Sequence, residues 1–551
     1  MRLCRPPDTL VRAAQEQEQR FFYSAAFDVV LKKYGLILSD VAPASAVSAS
    51  EFGFVTRITP WQDTFGSLPL VFEGPLATTV LSKLGIAANS FADERLDTHN
   101  HQGQYLGTLC FNRALLRRIP ADRLENSDPF PFIAHDARWT PEKFTFQAFE
   151  PSESEECVLF GTDTSGVRYC IGIRRGPHLL FGAPLFDTMV QHHVMPPYPV
   201  SFYAFVKSSD LEPLERWLLR EADVLFRKHH RVSAAIDRWP ASKHACLTIR
   251  HDFDRTLDGN SPKHRRQRTD IKRLLDCYAT RGIKSTWFWR VTTYDEELIA
   301  QVIAAGHEIA LHTEALNLDQ WIDQEVGFFQ ERVGRPIKGY TVHGGNGAPG
   351  YLGQHQIGWA LASGMRYGEI LCQYVTLPTL AVIIESGIPA ASSLVLPAQH
   401  RSFDLTTRPE DHRLESMLPE SAAALAAGQH CVVMNHPDIH VDQMIAFVAK
   451  SNLQGVWRAS MAEVASWSLA RGTVYRHDGE KSLSLTWAEP LPYTAALSIG
   501  YRDAIYRAVI PERSVALEVS VADERPALFL REGDSRRLPI AVSPREKLSV
   551  P

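Results

Sequence analysis

The sequence predicts an α/β protein of several domains, organised around a central unit in which strands and helices alternate. Three observations carry this. At 551 residues the chain is longer than one hydrophobic core ordinarily serves. Residues 241 to about 472 alternate short apolar runs with segments of helical period. From about 473 only short alternating runs remain, separated by turns.

The first region, residues 1–240, is mixed α/β. FFYSAAFDVVLKKYG places Phe22, Ala26, Val29, Val30 and Tyr34 near one helical face, with Gly35 as a C-cap. CVLFGTDTSGVRYCIGI has two apolar runs around a turn-rich DTSG and reads as a hairpin, and GPHLLFGAP continues as a buried strand. GAPLFD at 182–187 is a candidate closure of a flavodoxin-like or amidotransferase-like core. LEPLERWLLREADVLFRKHH, 211–230, is an amphipathic helix with basic residues in its last turn. The RWP at 238–240 marks a boundary.

In the second region, 241–472, ACLTIRHD is a strand and RTDIKRLLDCYATRG a helix with Ile271, Leu274, Leu275 and Tyr278 at helical spacing. KSTWFWRV is the next strand. Thr293 and Glu296 predict a capping box opening a helix to Gly306. HEIALH, IKGYTVHGG and QHCVVMNHPDIH follow as strands between helical segments. The order implies a mainly parallel sheet with right-handed crossovers, open or closed into a barrel. The third region, 473–551, reads as a small antiparallel β domain of sandwich type.

The composition excludes some functions. The 58 basic and 63 acidic residues give a net charge of −5, which offers no electrostatic case for nucleic acid. No stretch reaches 18 uninterrupted apolar residues, so no transmembrane segment is expected, and the N-terminus has no apolar core of a signal peptide. The eight cysteines are scattered without a CxxC pair, which predicts core thiols in a reducing, cytoplasmic compartment. Oligomeric state is not encoded in any visible pattern.

The chemistry concentrates where the central strands end. LTIRHDFDR brings His251, Asp252 and Asp254 to the end of one strand, with the two carboxylates two residues apart and so on one side of the chain. GHEIALHTEAL ends in His312 and Glu314; TVHGGNG carries His343; NHPDIH carries Asn435 and His436. In a parallel α/β fold these ends share one face, so groups far apart in sequence converge. Carboxylate with imidazole favours a borderline divalent metal, zinc first, with cobalt, nickel or manganese as alternatives. His307, at the start of its strand, is expected to be structural. The histidine clusters at 99–101 and 192–193 are assigned no chemistry.

HDFD, STWFWR, GHEIALHT and NHP together resemble the polysaccharide deacetylase domain (NodB-like, carbohydrate esterase family 4), over about residues 240–445. The resemblance implies a distorted (β/α) barrel of seven strands, flanked by the N-terminal α/β and C-terminal β regions. It implies metal-dependent hydrolysis of an acetyl or acyl group on a sugar or glycan precursor. By this resemblance Asp252 matches the general base, Asp254 and His312 two metal ligands, and His436 the catalytic acid. The family's second metal-binding histidine falls at Leu316, and Glu314 is the suggested substitute as third ligand. His343, Asn435 and Arg290 are expected to bind substrate. Two alternatives remain open: a non-catalytic carbohydrate-binding or assembly module of a glycan pathway, and a hydrolase of a non-sugar C–N bond.

Overall fold

A computed structural model describes residues 2–5, 42–43, 53–55, 70–110, 143–153, 155–185, 212–228, 232–254, 262–313, 318–343, 360–368, 377–385, 388–398, 400–402, 414–437, 441–472, 474–478, 482–522, 525–532 and 536–544. The predicted helix around Phe22–Tyr34, the His192–His193 pair, Glu314 and Leu316 lie outside these residues.

The central region folds as predicted into alternating strands and helices. In chain order these are β1 (Ala245–Phe253), α1 (Pro262–Arg281), β2 (Ser285–Trp289), α2 (Glu296–Ala304), β3 (Glu308–Thr313), α3 (Leu318–Val333), β4 (Gly339–Val342) and β5 (Tyr367–Gly368). They continue with β6 (Thr379–Glu385), β7 (Ile388–Leu396), β8 (His400–Ser402), α4 (Leu414–Ala426), β9 (His430–Asn435), α5 (Val441–Lys450), β10 (Val456–Arg458) and α6 (Met461–Gly472). The sheet runs β6-β7-β5-β4-β3-β2-β1-β9-β8, with β10 also on β1, and every pairing except β6–β7 is parallel. The chain moves outward from β1 through β5, then returns to place β9 on β1's other edge. The strand order therefore reverses at β1, the position where open α/β sheets bind ligands.

Alternation along the strands sorts the residues into two faces. Ile249, Trp287, Trp289, Leu311, Tyr340 and Val433 pack outward beneath the helices, in one core with Ile271, Leu274, Val302 and Phe447. The inner face is polar. Thr248 hydrogen-bonds His430 at 2.8 Å, and Arg250 pairs with Asp252. Glu308 accepts from Thr286 and Tyr367, both at 2.9 Å. The N-terminus of α6 closes this end of the interior, where Ala462 N–H donates to Glu308. Gly339 is required here, because a Cβ would fall 1.9 Å from the Tyr367 ring.

The predicted start of α2 needs correcting. Asp295 is its N-cap, accepting from Leu298 N–H at 3.0 Å. Thr293 sits in a preceding 3-10 turn, and its Oγ1 donates to the Phe253 carbonyl at 2.8 Å. A long-range bond to the end of β1 has taken the side chain that local spacing assigned to the cap.

Outside this sheet, strands 156–162 and 168–175 form the predicted hairpin. They belong to a mixed sheet whose strands 42–43, 2–5, 53–55, 70–72 and 178–181 run parallel in that spatial order. Cys157 and Cys170 are joined by a disulfide across the hairpin, Cα atoms 6.1 Å apart. The expectation that all cysteines are thiols fails for this pair, because antiparallel pairing brings together residues 13 apart in sequence. The C-terminal strands form two antiparallel sheets around a shared core of Leu485, Leu497, Ile499 and Val519. One of these sheets also takes in Ser233–Ile236, which pairs with 495–501. No helix among the described residues is long and apolar enough to cross a membrane.

Candidate metal and hydrolase centre

Asp254 is the hub of the site. It follows β1 directly, and its loop is tied down from the β2–α2 connection: Arg290 donates to the Asp254 carbonyl at 2.8 Å, and Thr293 holds the carbonyl of Phe253. Among the described residues, three imidazoles reach its carboxylate. His312 Nε2, from β3, lies 2.9 Å from Oδ1; His436 Nε2, after β9, lies 2.9 Å from Oδ2; His343 Nε2, after β4, lies 3.6 Å from Oδ2. The convergence depends on sheet curvature. β4 is three places from β1, about 14 Å away on a flat sheet, so a 3.6 Å contact requires the polar face to curl inward.

Burial raises the Asp254 carboxyl, but the imidazoles of His312, His343 and His436 outweigh it and hold the group well below the ordinary carboxylate range. The contact from His312 is close yet lacks hydrogen-bond geometry, which leaves the buried Oδ1 without a donor. Ligating atoms of Asp254, His312 and His343 all lie within 4.8 Å of one another. Atoms bound tetrahedrally to zinc at about 2.0–2.2 Å would be about 3.3–3.6 Å apart. His312 lies 2.9 Å from Oδ1 and His343 3.6 Å from Oδ2, close to that spacing, and Oδ1 is buried without a hydrogen-bond donor, so the donor set fits a divalent cation.

The other sequence candidates are placed as follows. Asp252 lies on the inner face one step below Asp254, 5% exposed, with its carboxylate held by the guanidinium of Arg250. Arg250 is itself 1% exposed and lies 4.9 Å over the Phe288 ring. Sequence reading missed it, although Thr248, Arg250, Asp252 and Asp254 alternate along the strand and just past its end, which is the signature of a polar inner column. His343 was expected at a substrate position; it lies instead among the ligand candidates, its ring centroid 5.2 Å from that of His312. Arg290 is beside the centre, its Nη1 3.5 Å from His343 Nε2 and 2.8 Å from the Asp254 carbonyl. Asn435 is fully buried and one residue from His436, so it points to the opposite face, beside His251, and is not brought to the site. His307 is structural, as expected: Nδ1 accepts the Ser285 backbone N–H at 3.1 Å, and burial lowers its pKa to about 4.

No family model and no curated protein matches this chain. Among solved structures, a protein from Mycobacterium smegmatis assigned as a polysaccharide deacetylase is 19% identical with a TM-score of 0.32, covering 44% of this chain and 96% of that one. The catalytic domain of a peptidoglycan N-acetylglucosamine deacetylase from Eubacterium rectale is 14% identical with a TM-score of 0.26, covering 39% and 89%. A mutant of a family 4 carbohydrate esterase pseudoenzyme with restored activity is 10% identical with a TM-score of 0.27, covering 41% and 69%. The chemistry of the present site rests on its own side chains.

Proposed function

We propose that the chain is a metal-dependent hydrolase that removes an acetyl group from a sugar or glycan precursor. The observation that carries the reading is the meeting of Asp254, His312 and His343 from three separate strands around an oxygen with no hydrogen-bond donor. These three would hold the metal, with His343 in the third position that sequence reasoning gave to Glu314. A cation bound there supplies polarisation of the acyl carbonyl and acidifies water.

The remaining roles belong to protein groups. Asp252, fixed in orientation by Arg250, accepts the proton of the attacking water. His436, aligned by its contact with Asp254 Oδ2, donates a proton to the departing amine or alcohol. Arg290 and Thr293 keep Asp254 in place by holding the backbone on both sides of the peptide that carries it. Support for a sugar substrate comes from the resemblance of HDFD, GHEIALHT and NHP to the deacetylase motifs.

The test is acetate release by the purified chain from a panel of N- and O-acetylated sugars and small acetylated amides, with added zinc, cobalt, nickel or manganese. Metal-stimulated release from a sugar, abolished in Asp254→Ala, is expected. Release only from non-sugar amides would replace the substrate class. No release from any member under any metal would reject the hydrolase reading.

A further inference from the structure

A second cleft lies at the other end of β9 from the metal centre. Its volume is about 470 Å³, within the range of small-molecule sites. Among the described residues, three parts of the chain build it: the turn at Asn100–Gln104, the first turns of the helix Glu212–Lys228, and Ala427 with Gln429 just before β9. His436 follows the far end of that six-residue strand, so the two sites are about 20 Å apart along it. The described residues of the catalytic set do not line this cleft.

The lining has a definite chemistry. Leu106 and Trp217 form an apolar wall, 2% and 7% exposed. The turn beside it is held in shape by Asn100, whose Oδ1 accepts the backbone N–H groups of Gln102 at 3.0 Å and Gln104 at 2.9 Å. Gln102, Gln104 and Gln429 add amides that can both donate and accept. The acids of the cleft are already matched. Glu221 shares Arg174 with Glu156, both at 2.5 Å, while Glu212 is shared by Arg216 at 2.9 Å and Arg238 at 3.8 Å. Arg220, one turn after Arg216, has no ion pair among the described residues, and within a lining of two arginines and two glutamates it is the charged group left without an ion-pair partner.

We propose that this cleft is a second ligand site, which takes a small anionic sugar, a hexose carrying a carboxylate or a phosphate, with Arg220 as its charge partner. The guanidinium of Arg220, free of an ion pair among the described residues, selects the anion, the amides meet hydroxyl groups, and the apolar wall takes the C–H face of the ring. The choice of a sugar rests on the glycan reading above; the choice of an anion does not.

Isothermal titration of the full chain with glucuronate, glucose 1-phosphate, glucose and inorganic phosphate tests this. At least one anionic sugar should bind with Kd below about 1 mM and about tenfold tighter than glucose or phosphate. Arg220→Gln should weaken it about tenfold, and Asp254→Asn should leave it unchanged. The proposal is overturned by no anionic-sugar binding at about 10 mM, by phosphate binding as tightly as either sugar, or by an unaltered affinity in Arg220→Gln. Loss of binding in Asp254→Asn would assign the heat to the metal centre. That outcome ends this proposal and leaves the hydrolase reading standing.

Discussion

Replacing Arg250 by Met removes one partner of an ion pair that is almost wholly out of water. Arg250 is 1% exposed and Asp252 5%, and the guanidinium also reaches Thr341 and covers Phe288. Removing one member of such a pair leaves an uncompensated buried charge, at a cost of about 3–5 kcal/mol. Methionine fills most of the volume, so the cavity contribution is small. The double variant Arg250→Met/Asp252→Leu removes both charges and should recover most of that loss, giving a coupling energy of about 3 kcal/mol or more. Because the chain holds several cores, global unfolding is a poor measure. Native-state hydrogen exchange of peptides spanning 245–253 reads the local effect. Exchange free energies in β1 should fall by about 3 kcal/mol or more in the single variant. A loss under about 1 kcal/mol, or a double variant no better than the single one, would refute the reasoning that the inner column is a paired, dry network.

Two further predictions concern the same framework. His251 and His430 are lowered to about 3 and His307 to about 4, mainly by burial, so all three fold neutral. The unfolded chain takes up these protons near pH 6.5. Stability is therefore complete above that value and is lost as pH falls towards the folded values, at up to about 1.4 kcal/mol per histidine per pH unit. Between pH 7.5 and 5.5 the chelator-treated protein should lose about 4 kcal/mol from this source, read by urea denaturation followed at β2 and β9. A flat profile across that interval would contradict it. Asp295→Ala removes the N-cap of α2 and should cost about 1 kcal/mol, while Thr293→Val should instead loosen the end of β1. Equal exchange rates at 250–254 in the two variants would argue against that division of labour.

Local pattern found the elements, and the errors arose where distant groups decide. ACLTIRHD, HEIALH and VVMNH are largely apolar runs ending in polar groups, and their strands lie as read. Thr293 had the spacing of a cap, but the Phe253 carbonyl, 40 residues away, claims its hydroxyl. His343 could not be assigned from spacing, because its approach to Asp254 depends on how tightly the four strands β1 to β4 curl. Asn435 was placed by its neighbour rather than by alternation, which sends it to the opposite face from His436. The strand Ser233–Ile236 looked like the end of one region, yet it pairs with residues more than 250 positions later. No local signal encodes that partner. Arg250 was within reach, since a charged residue two before a candidate catalytic acid on a buried strand already implies a pair on one face.

Metal content and coordination in the purified chain test the central claim most directly. Elemental analysis with X-ray absorption on the zinc-loaded protein should give about one zinc per chain, bound by two imidazoles and a carboxylate at about 2.0–2.2 Å. His343→Ala should lose the metal and Glu314→Gln should keep it. Full occupancy in His343→Ala, together with loss in Glu314→Gln, would contradict the assignment of His343 as the third ligand.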